Sequence, residues 1–525
     1  MLRYTSSVLR LWAIRLQGRE AAALGLSFVE GVHALFVHNL IFQGEKDNTV
    51  FAGRDRIAYG QLQDEVEKYR NYFYAAGIRI GENVGLFSRN SPEFVYCYMA
   101  IVSLGAVVVP LNFQLTAREI AFIVKDAQMK VLVTMEQLAI DSELSQHHDR
   151  QTVAQLVIPV LKQRLEQEPL PPAPVADSSL TVNSPCAVIY TSGTTGRPKG
   201  AVLTHNNLVA NARAFRERLP VAADDNVLCV LPMYHCFAWT CAVLNTLLCG
   251  AAITILESFA PKETIAAIKE YKVTVAYGVP PMYNLLTRIG EPGDFAGVKY
   301  LISGGASLPE KVAKQFTEKY GIQILEGYGL SEASPVVALN PVDQPKYCSI
   351  GKSLAGLEVK VVDADGQELP PGEVGEIIVR GPSVMQGYFN LPAETAAALK
   401  DGWLHTGDLA CRDQEGYFFV VDRLKDLIIA NGENIYPREI EELLYAFPGI
   451  VEASVIGAAD ELRGQVALAY VVIQEGTDFD KKAVREYLQT NIAAYKIPRD
   501  FIIVDALPKN QTGKILKRVL REQVS

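Results

Sequence analysis

The stretch 187–200, AVIYTSGTTGRPKG, decides how this sequence is interpreted. Its first residues are apolar and predict a short buried strand. That strand runs into a loop with three glycines, four hydroxyl side chains and two cations. Glycines let backbone N–H groups converge, and hydroxyls and cations complement negative charge, so the loop is suited to hold the phosphates of ATP. It is not a Walker A loop, because no Gly-Lys-Ser/Thr follows four residues after a glycine.

Helical and strand patterns alternate along the chain before this stretch. Residues 59–76 predict an amphipathic helix, 83–87 a strand, 91–104 a helix and 106–110 a buried strand. Strand and helix in turn predict a parallel sheet. Residues 142–185 break the rhythm with a polar helix and a proline-rich run, and we interpret them as a surface connector.

A second alternating block covers 186–341, and hairpin-like strands at 357–362 and 376–379 then predict a small β-rich subdomain. The residues after 421 again mix helix and strand. The predicted fold class is α/β, with a large N-terminal domain of alternating α/β subdomains plus a small β-rich subdomain, and a small mobile α+β C-terminal domain. The predicted boundaries are 1–421, a hinge at 422–427, and 428–525.

Composition narrows the class of protein. The chain of 525 residues is too long for one hydrophobic core. Its net charge of -9 provides no electrostatic footprint for a nucleic acid. The eight cysteines contain no CxxC pair, and a chain of this length needs no disulfides to fold, so we expect a reducing compartment, the cytoplasm.

One uncharged window could be mistaken for a membrane span. Residues 226–256 contain no Asp, Glu, Lys or Arg. Proline, histidine and glycine interrupt the window, so we expect a short buried helix and a buried strand instead. The arginine-containing N-terminus predicts a helix packed on the body of the protein. Peripheral contact with a membrane stays open, as does a homodimer.

The segment 190–200 closely resembles the AMP-binding signature of the adenylate-forming superfamily, which includes acyl-CoA synthetases, luciferases and peptide-synthetase adenylation domains. Four further motifs follow in the family's order, so the resemblance covers the chain from about residue 45 to its end. It implies that ATP binds through the loop residues Thr191, Ser192, Gly193, Thr194, Thr195, Gly196 and Lys199.

The second motif is 325–332, LEGYGLSE. The resemblance implies that Tyr328 packs on adenine, that Ser331 contacts the α-phosphate and that Glu332 helps to hold Mg²⁺, together with Thr191. Mg²⁺ prefers hard oxygen ligands, which suits a carboxylate. Upstream, 303–306 resembles the backbone edge that receives adenine. Further nucleotide-binding residues implied by these two segments are Gly304, Gly305, Ala306, Glu326, Gly327 and Gly329.

The third motif, 401–408, ends in Asp408, which by resemblance binds the ribose hydroxyls. In the run 422–426, DRLKD, Arg423 should reach the nucleotide and Lys425 matches the hinge of the family. Asp422 and Asp426 are interpreted as solvated loop charges. Gly432 matches a position beside the CoA tunnel, where a side chain would obstruct.

The last motif is 508–515, PKNQTGKI, and the resemblance implies that Lys514 is the catalytic lysine that bridges the carboxylate and the phosphates. An ammonium suits this step, because two anions must approach when a carboxylate attacks the α-phosphorus. In the segment 232–240, PMYHCFAWT, His235 would form the floor of the carboxylate site, and Phe237 and Trp239 would line the acyl pocket.

The predicted function is an ATP-dependent acyl-CoA ligase with catalytic residues Lys514, His235 and Thr191. A carboxylate and MgATP give an acyl-adenylate and pyrophosphate, and the thiol of coenzyme A then displaces AMP. No acid near His235 could pair with a substrate amine, and the wording of the motifs resembles long-chain fatty acyl-CoA synthetases, so a medium- or long-chain fatty acid is expected. The alternatives are an aryl-CoA ligase, a fatty-acyl-AMP ligase that loads a carrier protein, and a non-catalytic acyl- or nucleotide-binding protein.

Overall fold

The computed structural model describes residues 35–54, 56–145, 152–167, 170–174, 178–192, 197–509 and 514–524. The expected N-terminal helix falls outside these residues. The described chain divides into two compact units. The first contains the residues up to Ser258 with Ser331–Pro335 and Pro382–Ala397, and the second contains Phe259–Leu330, Val336–Gly381 and Ala398–Ser525.

The first unit has short strands and mostly longer helices. Its strands are β1 (Thr49–Phe51), β2 (Ile57–Ala58), β3 (Asn83–Phe87), β4 (Val107–Leu111), β5 (Val131–Thr134), β6 (Ala154–Val157), β7 (Pro185–Ser192), β8 (Pro198–Thr204), β9 (Asn226–Cys229), β10 (Ala252–Ile255) and β18 (Gly387–Tyr388). Its helices are α1 (Tyr59–Ala75), α2 (Pro92–Ser103), α3 (Ala117–Asp126), α4 (Asp141–Ser145), α5 (Ile158–Gln167), α6 (His205–Arg218), α7 (Asn245–Cys249) and α11 (Pro392–Ala398).

A seven-stranded sheet organises the first unit, in the order β18-β8-β7-β4-β3-β5-β6. The strands from β7 to β6 are parallel to their neighbours, whereas β8 runs antiparallel to β7 and β18 antiparallel to β8. The parallel sheet is therefore as predicted. The strands β9, β10 and β1 form a second parallel group, with β2 antiparallel to β1.

Local sequence explains where the helices of this unit begin. Ser91 caps α2 by accepting the Phe94 N–H, and Thr116 caps α3 with Glu119 in a reciprocal capping box. The apolar face of α3 packs on the seven-stranded sheet, where Ile120 and other buried residues join the core. The predicted surface connector is only partly right, because β6 adds an edge strand to the sheet and α5 follows it. Three of the four β6 residues are half-buried, too short and too mixed a pattern to predict a strand.

The uncharged window forms a buried turn of helix and a strand, as expected. Residues Ala238–Leu244 have π-helical hydrogen bonding and continue into α7, after which β10 lies in the sheet. No helix in the described ranges is long and apolar enough to cross a membrane.

The second unit contains the remaining elements. Its strands are β11 (Val275–Gly278), β12 (Tyr300–Ser303), β13 (Ile324–Gly329), β14 (Val336–Leu339), β15 (Lys352–Ser353), β16 (Glu358–Val362), β17 (Gly375–Arg380), β19 (Leu399–Lys400), β20 (Trp403–Arg412), β21 (Phe418–Arg423), β22 (Ile428–Ala430), β23 (Glu433–Ile435), β24 (Ile450–Asp460), β25 (Gly464–Ile473) and β26 (Asp500–Ile503). Its helices are α8 (Pro261–Glu270), α9 (Pro280–Ile289), α10 (Glu310–Tyr320), α12 (Pro437–Ala446), α13 (Lys481–Asn491) and α14 (Lys517–Glu522).

Three groups of strands build the second unit. The strands β11, β12 and β13 are parallel, and β14 and β15 continue antiparallel from β13. The predicted β-rich subdomain is the antiparallel sheet β16-β17-β20-β19, with β21 beside β20. The last sheet, β23-β22-β25-β24 with β26 parallel to β25, shares a core with α12 and α13 and forms the small C-terminal domain. The predicted fold class is confirmed, while the boundaries at 421 and 427 and the mobility of this domain stay predictions.

Candidate active site

The glycine-rich motif begins in β7 and ends in β8. Strands β7 and β8 pair antiparallel, which sets Thr191 opposite Lys199 and Ser192 opposite Pro198. The turn between them is therefore the place where backbone N–H groups of the motif would meet a phosphate. The four turn residues with that predicted role lie outside the described residues, namely Gly193, Thr194, Thr195 and Gly196.

The residues Ser331 and Glu332 belong to the same unit as this hairpin. Ser331 is buried, with its Oγ 3.2 Å from Cys236 Sγ. Glu332 is half-buried, and its Oε1 accepts a hydrogen bond of 2.8 Å from the Tyr388 hydroxyl. Lys199 Nζ lies 5.4 Å from the centroid of the same tyrosine ring. We call Thr191, Lys199, Ser331 and Glu332 the hairpin group.

His235 is half-buried ahead of the π-helical turn. Its Nδ1 accepts a hydrogen bond of 3.2 Å from the Phe237 N–H, so the neutral ring carries its proton on Nε2. A protonated Nε2 can donate to a carboxylate, as the predicted role requires. Burial raises the pKa of the neighbouring Cys236 thiol to about 12, so this cysteine stays protonated and is no nucleophile near neutral pH.

The two predicted acyl-pocket residues differ in exposure. Phe237 is half-buried, whereas Trp239 is only 2% exposed. The Trp239 ring centroid lies 3.9 Å from that of Tyr98 and 5.6 Å from that of Phe94. Burial raises the pKa of the Tyr98 hydroxyl, and the nearby indole N–H of Trp239 acts in the opposite direction. The two groups do not reach hydrogen-bond geometry, and neither has a hydrogen-bond partner in the described part of the chain. Buried donors normally have partners, so this pair is unusual.

A second group of predicted site residues meets around Asp408 in the other unit. Asp408 Oδ2 accepts a hydrogen bond of 2.6 Å from the Tyr328 hydroxyl, and Arg423 Nε lies 3.1 Å from Asp408 Oδ1. The pairing of β20 with β21 sets Asp408 opposite Arg423. Three motifs that are far apart in the sequence therefore converge on one carboxylate, which is 5% exposed.

Lys514 belongs to the same cluster. Burial, together with the positive charge of Arg423, lowers its pKa to about 8, while Asp408 acts in the opposite direction. The lysine is therefore influenced electrostatically by both residues, and its catalytic role stays a prediction. The preceding residues 510–513 of its motif lie outside the described residues. We call Tyr328, Asp408, Arg423 and Lys514 the Asp408 group.

The predicted adenine edge follows β12. Gly304 is buried and its N–H donates to Gly278 O at 3.3 Å, while Gly305 is exposed with φ +77°, a conformation that favours glycine. Glu326 is buried, and its Oε1 accepts the Leu308 N–H at 3.0 Å. Burial raises the Glu326 pKa to about 7. Glu326 thus holds the chain that follows the adenine edge.

The other predicted residues near this edge have varied exposure. Ala306 and Gly327 are half-buried, and Gly329 is exposed at the end of β13.

The predicted hinge has one exposed lysine between two buried carboxylates. Lys425 lies in a single 3₁₀ turn, Leu424–Asp426, and is exposed. The interpretation of Asp422 and Asp426 as solvated charges is wrong, because they are only 7% and 8% exposed. Asp422 Oδ2 accepts the Arg438 N–H at 2.9 Å, and Asp426 Oδ1 lies 2.6 Å from Arg521 Nη2. Residues later in the chain cover both carboxylates, which the local sequence could not indicate.

Gly432 lies in a two-residue turn between β22 and β23. Asn431 has φ +52° and Gly432 has φ +83°, as the tight hairpin turn Asn-Gly requires. A Cβ built on Gly432 would meet nothing within 4 Å. The turn itself thus accounts for a glycine here, and the role beside a CoA tunnel stays a prediction.

Family models match most of the chain. The AMP-binding enzyme model matches residues 41–389, and the AMP-binding enzyme C-terminal domain model matches residues 439–514. The chain belongs to the AMP-binding enzyme family. The suspected resemblance to adenylate-forming enzymes is thereby confirmed. The parallel sheet, the β-rich subdomain and the C-terminal sheet are accordingly those of this family.

Individual relatives cover nearly the whole chain. A feruloyl-CoA synthase of Amycolatopsis sp is 36% identical over 481 residues, which cover 90% of this chain and 94% of the relative. The long-chain-fatty-acid–CoA ligase of Bacillus subtilis (strain 168) is 33% identical over 518 residues, with 91% and 92% covered. The crystal structure of ATP-bound MatB from Rhodopseudomonas palustris matches with a TM-score of 0.87 at 31% identity, over 93% of this chain and 98% of that one. The chain is accordingly an acid–thiol ligase of the adenylate-forming type.

Glu332 fits the magnesium ion that such a reaction needs. Within the described ranges, no group of three His, Cys, Asp or Glu could hold a metal by itself. Mg²⁺ typically takes one or two carboxylates and completes its shell with substrate phosphates and water, so one half-buried carboxylate is a suitable protein contribution. The Tyr388 hydroxyl donates to one oxygen of this carboxylate, Oε1, and so restrains its orientation.

Proposed function

We propose that the protein joins an apolar carboxylic acid to coenzyme A through an acyl-adenylate, with release of pyrophosphate and AMP. The observation that carries this proposal is the Asp408 group, in which one buried carboxylate, one aromatic ring and two cations from separate motifs come together. Family membership supports the same reaction class.

In the first half-reaction, a carboxylate oxygen bonds to the α-phosphorus of ATP while the bond to the pyrophosphate oxygen breaks. Lys514 contributes an ammonium that neutralises the approaching anions, and Asp408 accepts the ribose hydroxyls. The hairpin group would receive the phosphates, and Glu332 would help to hold the magnesium ion. A magnesium ion on the phosphates would neutralise charge on the leaving pyrophosphate.

In the second half-reaction, the thiol of coenzyme A attacks the acyl carbon and AMP leaves. No protein nucleophile is needed, because the mixed anhydride is already activated. The high pKa of Cys236 agrees with this, since a thiol that stays protonated is a poor nucleophile. The pantetheine arm would pass the turn at Gly432 after the C-terminal domain has rotated about Lys425.

A medium- or long-chain fatty acid is our first candidate for the acid. The segment around His235 supports an apolar substrate, since Met233, Cys236 and Ala238 are buried and uncharged. The fatty-acid ligase of Bacillus subtilis, 33% identical, supports the same substrate class. The protein would then act in fatty acid and lipid metabolism, in the cytoplasm.

An aryl acid is the second candidate, because of one specific observation. Trp239 packs against Tyr98 and Phe94, and the two buried donors of Trp239 and Tyr98 have no hydrogen-bond partner in the described part of the chain. A ring bearing a hydroxyl or methoxy oxygen would supply an aromatic face and an acceptor. The feruloyl-CoA synthase relative, 36% identical, supports this class.

Isotopic exchange between ATP and pyrophosphate tests the first half-reaction. We expect exchange that depends on the added acid, across a panel of C2 to C18 acids with benzoate and coumarate. AMP release that also depends on coenzyme A identifies the acceptor, whereas release without it would indicate a ligase that loads a carrier protein. A protein that binds ATP but shows no exchange with any acid would be a binder and would overturn the proposal.

Two variants test the substrate pocket within the same panel. We expect Trp239→Ala to change the preference among acids more than the apparent affinity for ATP. Tyr98→Phe removes one unpartnered hydroxyl and should selectively weaken oxygen-bearing aryl acids if the second candidate is right. An unchanged preference in Trp239→Ala, with ATP binding lost, would show that this tryptophan belongs to the core.

A further inference from the structure

Tyr388 contacts two members of the hairpin group, although none of the sequence motifs contains it. It ends β18, which pairs antiparallel with β8 and places Tyr388 opposite Ala201. The same strand β8 carries Lys199. The Tyr388 N–H donates to Thr395 Oγ1 at 2.9 Å. Contacts made by the Tyr388 backbone, with β8 and with the Thr395 hydroxyl, therefore fix the position from which the side chain extends.

The Tyr388 hydroxyl and its neighbouring backbone hold Glu332 at two points. The hydroxyl donates to Glu332 Oε1 at 2.8 Å, and the Met385 N–H donates to Glu332 O at 2.8 Å. Burial raises the pKa of Tyr388 far above neutral, and the Glu332 charge raises it further. The hydroxyl is thus a hydrogen-bond donor throughout the physiological pH range.

The ring of Tyr388 also faces Lys199. The Lys199 Nζ lies 5.4 Å from the ring centroid, within the distance at which a cation is attracted to an aromatic face. A lysine has a flexible four-carbon stem, so a ring beneath its ammonium restricts where the charge is placed. One side chain therefore orients both a carboxylate and an ammonium.

We propose that Tyr388 is a positioning residue for the magnesium–triphosphate end of ATP. Its hydroxyl would fix the orientation of the Glu332 carboxylate for the metal, and its ring would hold the Lys199 ammonium near the phosphates. This inference rests on the proposed function, since it takes Glu332 as the magnesium ligand. Mg²⁺ demands near-ideal octahedral geometry, so a ligand fixed by a neighbouring hydrogen bond binds it better than a mobile one.

Calorimetric titration with ATP, in EDTA and in excess Mg²⁺, tests the role of the hydroxyl without any turnover. Tyr388→Phe keeps the ring and removes the hydrogen bond to Glu332. We expect MgATP binding to weaken about tenfold, because hydrogen bonds to charged groups are among the stronger ones, and metal-free ATP binding to stay unchanged. An equal loss in both conditions, or no loss, would overturn the inference.

Tyr417→Phe is the matched control. Its hydroxyl donates to Gln344 O at 2.6 Å, and Lys346 Nζ lies 4.3 Å from its ring centroid. Like Tyr388→Phe, this variant loses a tyrosine hydroxyl from a ring that lies near a lysine ammonium. We expect its ATP affinity to match the wild type with and without Mg²⁺. If Tyr417→Phe lost as much MgATP affinity as Tyr388→Phe, the loss would reflect the general effect of removing a tyrosine hydroxyl and not a role in positioning Glu332.

Two further variants separate the two contacts. In a Glu332→Gln background, Tyr388→Phe should cause little additional loss of MgATP affinity, because both changes remove one interaction. A full tenfold loss in that background would show that Tyr388 does not act through Glu332. Tyr388→Leu also removes the ring, and we expect it to weaken metal-free ATP binding as well, since Lys199 is then released. If Tyr388→Phe and Tyr388→Leu bound ATP equally well in EDTA, the proposal that the ring restrains Lys199 would be wrong.

These binding measurements need no acid substrate, so they are independent of the reaction class. A wild-type protein without acid-dependent exchange would overturn the proposed function alone. A wild-type protein with exchange, whose Tyr388→Phe variant binds MgATP normally, would overturn this inference alone.

Discussion

Asp426 and Arg521 form an ion pair that ties the predicted hinge to the C-terminal helix α14. Arg521 Nη2 lies 2.6 Å from Asp426 Oδ1, and the two side chains are 33% and 10% exposed. Lys517, on the same helix, lies 2.8 Å from Glu441. The helix that follows Lys514 is therefore anchored to the residues around which the domain should rotate.

Arg521→Ala should loosen α14. Breaking a partly buried pair leaves Asp426 covered and unpaired, so we expect a loss of about 1–2 kcal/mol of local stability. Hydrogen–deuterium exchange in residues 514–524 should accelerate roughly tenfold. Arg518→Ala is the control, since its pair with Glu522 is 72% and 58% exposed and should matter by less than about 0.5 kcal/mol. Equal exchange in both variants would contradict the anchoring role.

The rate of adenylation should fall as pH rises through the Lys514 pKa of about 8. Only the protonated ammonium neutralises the approaching anions, and burial favours its deprotonation. ATP–pyrophosphate exchange measured from pH 6.5 to 9.5 would show this decline. Lys514→Arg keeps its charge over the whole range, so whatever activity remains should lack the decline. If the exchange rate of Lys514→Arg fell with the same pH midpoint as that of the wild type, the decline would come from the titration of another group.

Lys425→Pro should separate the two half-reactions. Proline restricts the backbone at the joint, so we expect acyl-adenylate formation to persist and thioester formation to fall at least roughly tenfold. Lys514→Ala should show the reverse, with adenylation lost and transfer from supplied acyl-AMP retained. Pyrophosphate and acyl-CoA are measured separately in each variant. Lys425→Ala, which keeps backbone freedom, should be normal in both, and a thioester defect there would implicate the side chain instead of the joint.

The protein should lose stability in acid because of a buried histidine. His205 Nδ1 accepts the Val37 N–H at 3.2 Å, and burial lowers the His205 pKa well below its usual 6.5. The unfolded chain therefore binds a proton that the folded chain does not, so stability is full above pH 6.5 and falls below it, by up to about 1.4 kcal/mol per pH unit. The beginning of α6 also disfavours a positive charge.

Urea unfolding at pH 7.5, 6.0 and 5.0 checks this expectation. His205→Gln keeps an acceptor for the Val37 N–H and does not titrate, so its stability should depend less on pH. His38 stands beside His205, and burial lowers its pKa to about 4, so part of the acid sensitivity should persist in the variant. Identical pH dependence in the two proteins would exclude His205 as the source.

The sequence alone determined the fold class and several of the elements. The apolar periodicity before residue 111 predicted α1, β3, α2 and β4 to within a residue or two at their ends. Such patterns are local, since 3.6-residue and two-residue repeats depend only on neighbours in the chain. The order of the motifs likewise determined the family and the identity of the Asp408 group. Family membership then restricts the roles that those residues can have. Amino-acid composition alone could not do so.

The tertiary structure decided everything that depends on a partner distant in the sequence. Asp422 and Asp426 look like solvated charges until Arg438 and Arg521 cover them. The edge strand β6 exists because β5 offers it backbone hydrogen bonds, and not because its own pattern demands a strand. Tyr388 reaches Glu332 only because β18 pairs with β8, across 56 residues of chain from its partner carboxylate. Burial and pairing of this kind arise when the chain folds back on itself, so periodicity along the sequence contains no record of them.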